Sequence, residues 1–105
     1  MEEIFKTIPD FEKYQVSNTG KIKTLKGLKE AGIIMQPSIN AQGYRVISLR
    51  KNKESFKFPI HRIVALVFLN FIKAGSALVI DHLDRNRLND NADNLIIVKR
   101  KKPRL

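Results

Sequence analysis

The sequence has 105 residues, which fits one domain, and no cysteine, which excludes a disulfide scaffold and a thiolate-ligated zinc finger. Twenty Lys plus Arg against ten Asp plus Glu give a formal charge of +10, so a polyanion, nucleic acid first, is the leading class of partner. The longest apolar run, residues 63–69, falls far short of the roughly 18–20 residues of a bilayer span, and the N-terminus is acidic where a secretory leader would be basic; an intracellular chain with no membrane partner is expected.

Residues 4–25 read as short strands and turns. Tyr14-Gln15-Val16 is extended, Ser17-Asn18-Thr19-Gly20 is a turn cluster, and alternation over 21–25 places Ile22 inward with Lys21 and Lys23 outward. Residues 26–42 carry Gly27, Gly32, Pro37 and Asn40 and read as a loop with one short strand at 33–35. Residues 43–50 and 55–58 flank the polar stretch 51–54, the pattern of a second hairpin with a cationic tip. After Pro59, apolar residues at Ile60, Ile63, Val64, Val67, Phe68 and Phe71 follow helical spacing, with a strand as the alternative because β-branched residues are abundant. Ala65, Leu66 and Leu69 make the other side apolar too, which predicts a helix largely enclosed by the sheets. Residues 78–80 and 94–98 bracket the polar stretch 81–93, giving two strands joined by a long Asn/Asp-rich connection of the kind that is uncommon unless functional. The fold class is α+β: small hairpins packed around one buried helix, followed by a further hairpin, with segments 1–42 and 43–105 forming one compact unit.

Lys21, Lys23, Arg45, Arg50, Lys51, Lys53, Arg62, Arg85, Arg87 and the tail residues Lys99, Arg100, Lys101, Lys102 and Arg104 are the candidate nucleic-acid contacts. Against this trend, Asp81, Asp84, Asp90 and Asp93 cluster around His82. Hydrolysis of a phosphodiester needs an activated water and a cation that stabilises charge on the phosphate, and a neutral histidine and an aspartate supply the base and a ligand for Mg²⁺ or Mn²⁺. Neighbours on an ideal strand point to opposite faces, so Asp81 and His82 act together only if the strand ends or bends there. Asp-His pairs also occur by chance, and turns are rich in Asn and Asp for local reasons.

The segment Asp81-His82-Leu83-Asp84-Arg85-Asn86, continued by Asn89-Asp90 and Asp93-Asn94-Leu95, resembles the Asp-His-x-Asp-x-Asn signature of HNH endonucleases of the phage and homing type. Upstream, Ile60-His61-Arg62-Ile63-Val64-Ala65 is similar to that family's His-Arg-Leu-Val-Ala helix, and Tyr14-Gln15-Val16-Ser17-Asn18-Thr19-Gly20 is similar to the Tyr-x-Val-Ser-Asn-x-Gly module that often precedes it. The resemblance implies a DNA-binding-type module and loop over 1–42 and an HNH-like domain with a basic tail over 43–105, in the cytoplasm of a bacterial or phage-infected cell. It implies His82 as general base, Asp81 as metal ligand, Asn94 as the residue that holds the hairpin, and a structural role for His61. The family's last ligand, about nine residues after the middle Asn, falls on Pro103, which has no donor, so the final helix of the ββα-metal fold is expected to be missing. Asp84, Asp90 and Asp93 are the candidate replacements, and Arg85 stands where the family has Gly. Two readings follow. The favoured one is a catalytically impaired binding protein, a phage-type inhibitor acting on DNA, RNA or a host nucleoprotein defence complex; the other is an active metal-dependent nicking enzyme.

Overall fold

In a computed structural model the structure describes residues 2–25, 32–71 and 78–99. Strands β1 (Phe5–Ile8), β2 (Phe11–Ser17), β3 (Ile22–Thr24) and β4 (Ile33–Met35) form an antiparallel sheet in sequence order. Strands β5 (Ser38–Ile39), β6 (Arg45–Lys51) and β7 (Glu54–Pro59) form a second. Helix α1 (Ile60–Phe68) follows directly, and β8 (Leu78–His82) pairs with β9 (Leu95–Lys99) to close the described chain.

The alternation that places Ile22 inward holds: Ile22 is buried, Lys21 exposed and Lys23 half-buried. The β6–β7 strands run further toward their tip than expected. Lys51 pairs with Glu54, and Asn52 and Lys53 alone make the turn, both with positive φ (52° and 68°), the two-residue hairpin geometry that suits strand twist. Residues 32–42 hold a second short strand, β5, besides the expected one.

Helix α1 has nine residues, too few to be stable alone, so packing holds it. Pro59, the last residue of β7, is its N-cap with extended dihedrals, and Ile60, Ile63 and Val64 meet Ile8, Tyr14, Val16, Ile22, Ile47, Leu49 and Leu95 in one core. The helix is less enclosed than the sequence suggests. Leu66 is exposed and, with Ile8, Phe11, Leu49, Phe58, Arg62 and Ile63, borders an open apolar groove. At the helix end Asn70 turns left-handed (φ 56°), and the N–H groups of both Leu69 and Phe71 donate to the Ala65 carbonyl.

Three bonds lock the first sheet to the rest. The Ala92 N–H donates to the Asn18 carbonyl at 2.7 Å, the Arg50 N–H to the Tyr14 hydroxyl at 3.1 Å, and Arg45 Nη2 to the Gly20 carbonyl at 3.2 Å. Gly20 is required there: its φ is +91°, and a Cβ would stand 3.1 Å from that of Asp90. Leu49 is fully buried at the centre of this arrangement. Leu49→Ala should therefore cost about 2–5 kcal/mol, read as a lower urea midpoint at unchanged m-value; a loss under about 1 kcal/mol would contradict this packing.

Candidate functional site

The site grows from the end of β8. His82 pairs with Leu95 and is buried, while Asp81 pairs with Ile96 and is exposed, as the pleat requires. The strand stops at His82, and the chain reverses through a turn in which the Arg85 N–H donates to the His82 carbonyl (3.0 Å) and the Leu83 N–H to that of Asn94 (2.7 Å). Because of that break both Asp81 and His82 border one cleft, together with Tyr44, Ile80, Leu83, Arg85, Arg87 and Ile96.

The Asn/Asp-rich connection is ordered by its own side chains. Asp84 accepts from the Asn86 N–H (2.8 Å), from Asn89 Nδ2 (2.9 Å) and from Asn94 Nδ2 (2.9 Å). These bonds, that from Asn89 foremost, hold its carboxyl below the ordinary range. Asn94 Oδ1 accepts from the Asp84 N–H (3.1 Å), and Asn94 Nδ2 also donates to the Asn89 carbonyl (2.9 Å), so Asn94 braces both sides of the loop. Asn86, Asn89 and Asn91 each cap a local turn by accepting from the N–H two residues on. A 3₁₀ turn at Ala92–Asn94 returns the chain to β9.

This framework drives Asp90 inward, where its side chain is fully buried. Asp90 Oδ1 lies 2.9 Å from His82 Nε2, and Oδ2 lies 3.4 Å from Arg45 Nη1. Burial pushes the Asp90 carboxyl up, opposed by the bond from His82 and the charge of Arg45. With Asp90 ionised, a carboxylate can only accept, so the proton sits on His82 Nε2 and Nδ1 keeps its lone pair. Tyr44 lies against both histidines, with ring centroids 4.9 Å from His61 and 6.0 Å from His82, and the two imidazoles meet edge to face at 5.2 Å. His61 Nδ1 is the single buried side-chain nitrogen or oxygen without a hydrogen-bond partner among the described residues. Burial first, then the nearby His82 and Arg62, lower its pKa to about 4.

The candidate cations divide by position. Arg85, exposed and left-handed (φ 64°), and Arg87, which lies over the Tyr44 ring at 4.8 Å and donates to the Gln42 carbonyl, flank the cleft with Asp81 and His82. The left-handed turn explains why glycine suits this position. Arg45 is turned inward onto Asp90 and Gly20. Arg50, Lys51 and Lys53 surround a separate cleft with Lys13 and Tyr14, away from His82. Lys21 pairs with Glu3 at 3.7 Å, Lys23 lies over the Phe5 ring at 3.9 Å, Arg62 borders the apolar groove, and Lys99 is exposed at the end of β9. Arg100, Lys101, Lys102 and Arg104 lie outside the described residues, as does Pro103.

For a hard divalent cation the donor chemistry at Asp81 fits: an exposed carboxylate in a cleft open to a phosphate suits an ion that is commonly held by one or two carboxylates and its substrate. Of the candidate replacement ligands, Asp84 is tied into the loop, Asp90 is buried on His82, and Asp93 is exposed. The pairing of Asp90 with His82 has no local signal in the sequence. Asp90 is one acid among several in an Asn-rich loop, and its direction is set by Gly20 and Arg45, far away in the chain.

Residues 3–50 match the NUMOD4 motif. The chain is 29% identical over 103 residues to the H-N-H endonuclease F-TflII of Escherichia phage T5, covering 98% of this chain and 51% of that protein. It is 38% identical over 88 residues to the DNA endonuclease I-HmuI of Bacillus phage SP01, covering 84% and 47%. A solved structure described as DNA binding and cleavage by the HNH homing endonuclease I-HmuI superposes with a TM-score of 0.78 at 36% identity, over 94% of this chain and 53% of that one. The chain thus spans about half the length of these relatives. With the NUMOD4 motif in its first half and the Asp81-His82 hairpin in its second, the chain is similar, over about half of their length, to proteins named as HNH endonucleases.

Proposed function

We propose that this chain binds DNA across the cleft at the end of β8 and serves metal-dependent phosphodiester hydrolysis, with His82 as the general base. The observation that carries this reading is the 2.9 Å bond from His82 Nε2 to the buried Asp90. With Asp90 ionised it fixes the ring and its tautomer and leaves Nδ1 as the nitrogen that takes a proton from water. Arg85 and Arg87 flank the same cleft and are placed to hold a phosphate backbone, and a relative named for DNA cleavage makes DNA the preferred strand. Asp81 would hold Mg²⁺ or Mn²⁺, which when bound supplies charge stabilisation at the phosphate. Asn94 and Asp84 keep the loop closed, so that Asp90 stays against His82.

A second reading, DNA binding without cleavage, is favoured by one observation: Asp81 is not among the ligand-type side chains that converge within the described residues. Plasmid nicking in Mg²⁺ or Mn²⁺ separates the two. Turnover that falls 10²-fold or more in His82→Ala supports the nuclease. Retention of DNA with no turnover supports the second reading.

Binding itself should be electrostatic. The log–log dependence of affinity on salt should be steep, and it should flatten by about 0.9 for each phosphate that Arg85→Ala or Arg87→Ala leaves without its cation. A slope unchanged in both variants would move the DNA to another face.

The electrostatics also set an acid limit. His61 is held neutral in the fold, its pKa lowered from 6.5 to about 4, so the unfolded chain binds the extra proton and stability falls as pH drops from about 6.5 to 4. At about 1.4 kcal/mol per unit that shift corresponds to at most roughly 3 kcal/mol, less after solvent screening of the partly exposed ring. Asp90, whose carboxyl is pushed up, acts with the opposite sign, so the comparison is with His61→Gln: chemical denaturation at pH 7 and pH 4.5 should show a smaller pH-dependent loss in the variant than in the parent.

A further inference from the structure

The geometry points to a second metal site in this molecule, distinct from Asp81: a buried His61–His82–Asp90 centre that takes a borderline transition-metal ion of the Zn²⁺ class. Each of the three side chains offers one ligand atom, and those atoms lie within 4.8 Å of one another. Ligand atoms around tetrahedral Zn²⁺ stand roughly 3.3 Å apart for bonds of about 2.0–2.1 Å. His82 Nε2 and Asp90 Oδ1, at 2.9 Å, already meet that spacing, and His61 has to close by about 1 Å or more.

Two features separate this trio from a chance cluster. His61 is nine-tenths buried, its Nδ1 has no hydrogen-bond partner, and its ring packs on His82 at 5.2 Å. An unpaired buried polar atom costs on the order of 1–3 kcal/mol, and a bound cation drawing on the ring's lone pair offsets that cost. The second feature is the support behind the ligands. Asp90 Oδ2 is held by Arg45, whose guanidinium is fixed on the Gly20 carbonyl, and Tyr44 covers both imidazoles. Outer contacts of this kind orient metal ligands and strengthen binding.

Two imidazoles and one carboxylate favour Zn²⁺, Co²⁺ or Cu²⁺ and disfavour Mg²⁺, which prefers oxygen ligands. Three protein ligands leave a fourth position for water, as tetrahedral Zn²⁺ allows. The centre therefore differs from Asp81 in both chemistry and exposure. One consequence rests on the proposed nuclease reading: a metal on His82 Nε2 moves the ring proton to Nδ1, which removes the lone pair that accepts a proton from water. Zn²⁺ bound here would switch the base off.

Binding is tested without reference to activity. The purified chain is titrated with Co²⁺ in excess Mg²⁺ while its visible absorption is recorded. The expected result is the intense band pattern of tetrahedral Co²⁺ saturating at one equivalent, displaced by Zn²⁺, retained in Asp81→Ala and weakened at least tenfold in His61→Gln and Asp90→Asn. A weak octahedral spectrum, or a band lost in Asp81→Ala and kept in His61→Gln, overturns the proposal. A readout on the unmutated chain guards against variants that do not fold. The sequence has two histidines, so both imidazole ¹⁵N signal sets should shift on adding one equivalent of Zn²⁺; if either stays fixed, the centre is not the one described. A chain that binds Co²⁺ in this way but nicks nothing upholds the site and fails the nuclease reading alone.

Discussion

Removing a carboxylate from water costs several kcal/mol unless hydrogen bonds and countercharge replace its hydration, and Asp90, with none of its side chain exposed, is such a group. Its compensation comes from two sides: the His82 ring at 2.9 Å and the Arg45 guanidinium at 3.4 Å. Arg45 in turn reaches Gly20, where an added Cβ would crowd Asp90 at 3.1 Å. One buried charge thus joins the turn after β2, the start of β6 and the end of β8. The orientation of His82 follows from the same contacts that hold the N-terminal sheet against the hairpin, so folding and site geometry are not separable here. A pair of this kind is costly to break from one side, because the remaining charge stays buried without a partner.

Much of the architecture was legible in the sequence because it is written in local periodicity. The spacing of Ile60, Ile63 and Val64 gave α1, and alternation around Ile22 gave the face of β3. Periodicity fails where partners are distant. It identifies an apolar face but not whether anything covers it, so Leu66 is exposed although the pattern would bury it. It also reads 51–54 as a loop, because Lys53 is not a residue that announces a left-handed turn, while the backbone places both Asn52 and Lys53 there. β5, only two residues long, exists by pairing with β6 and has no pattern of its own. The Asp81-His82 pair was visible by motif, and the bond that fixes His82 was not, since three separated segments aim Asp90.

The net charge is equally uneven in use. Among the described residues, half-buried Arg45 works as the counterion of buried Asp90, Lys21 meets Glu3, and Lys23, Lys51 and Arg87 lie over aromatic rings. A lysine or arginine stacked on a ring still presents its charge to solvent, whereas one enclosed beside a carboxylate does not. Composition counts all of these alike. Position separates them: Arg85 and Arg87 share a cleft with His82, while Arg50, Lys51 and Lys53 border another. Arg85 holds its place in a left-handed conformation that costs a non-glycine residue roughly 1 kcal/mol, so the turn after His82 carries a cation at some expense in backbone energy.

The pleat of β8 gives two adjacent residues different surroundings. Asp81 and His82 sit on opposite faces, one wet and one dry. The wet carboxylate suits a strongly hydrated ion that arrives with a phosphate, and the dry imidazole suits a fixed hydrogen bond or a softer metal. On a continuing strand those faces would never share a substrate. The strand ends at His82, the chain reverses at once, and the cleft opens along that edge, so both faces reach the same space. The long connection is the means to this end. Its Asx turns consume the polar groups that a reversed chain leaves unpaired, and its length is what carries Asp90 back beneath the ring it orients.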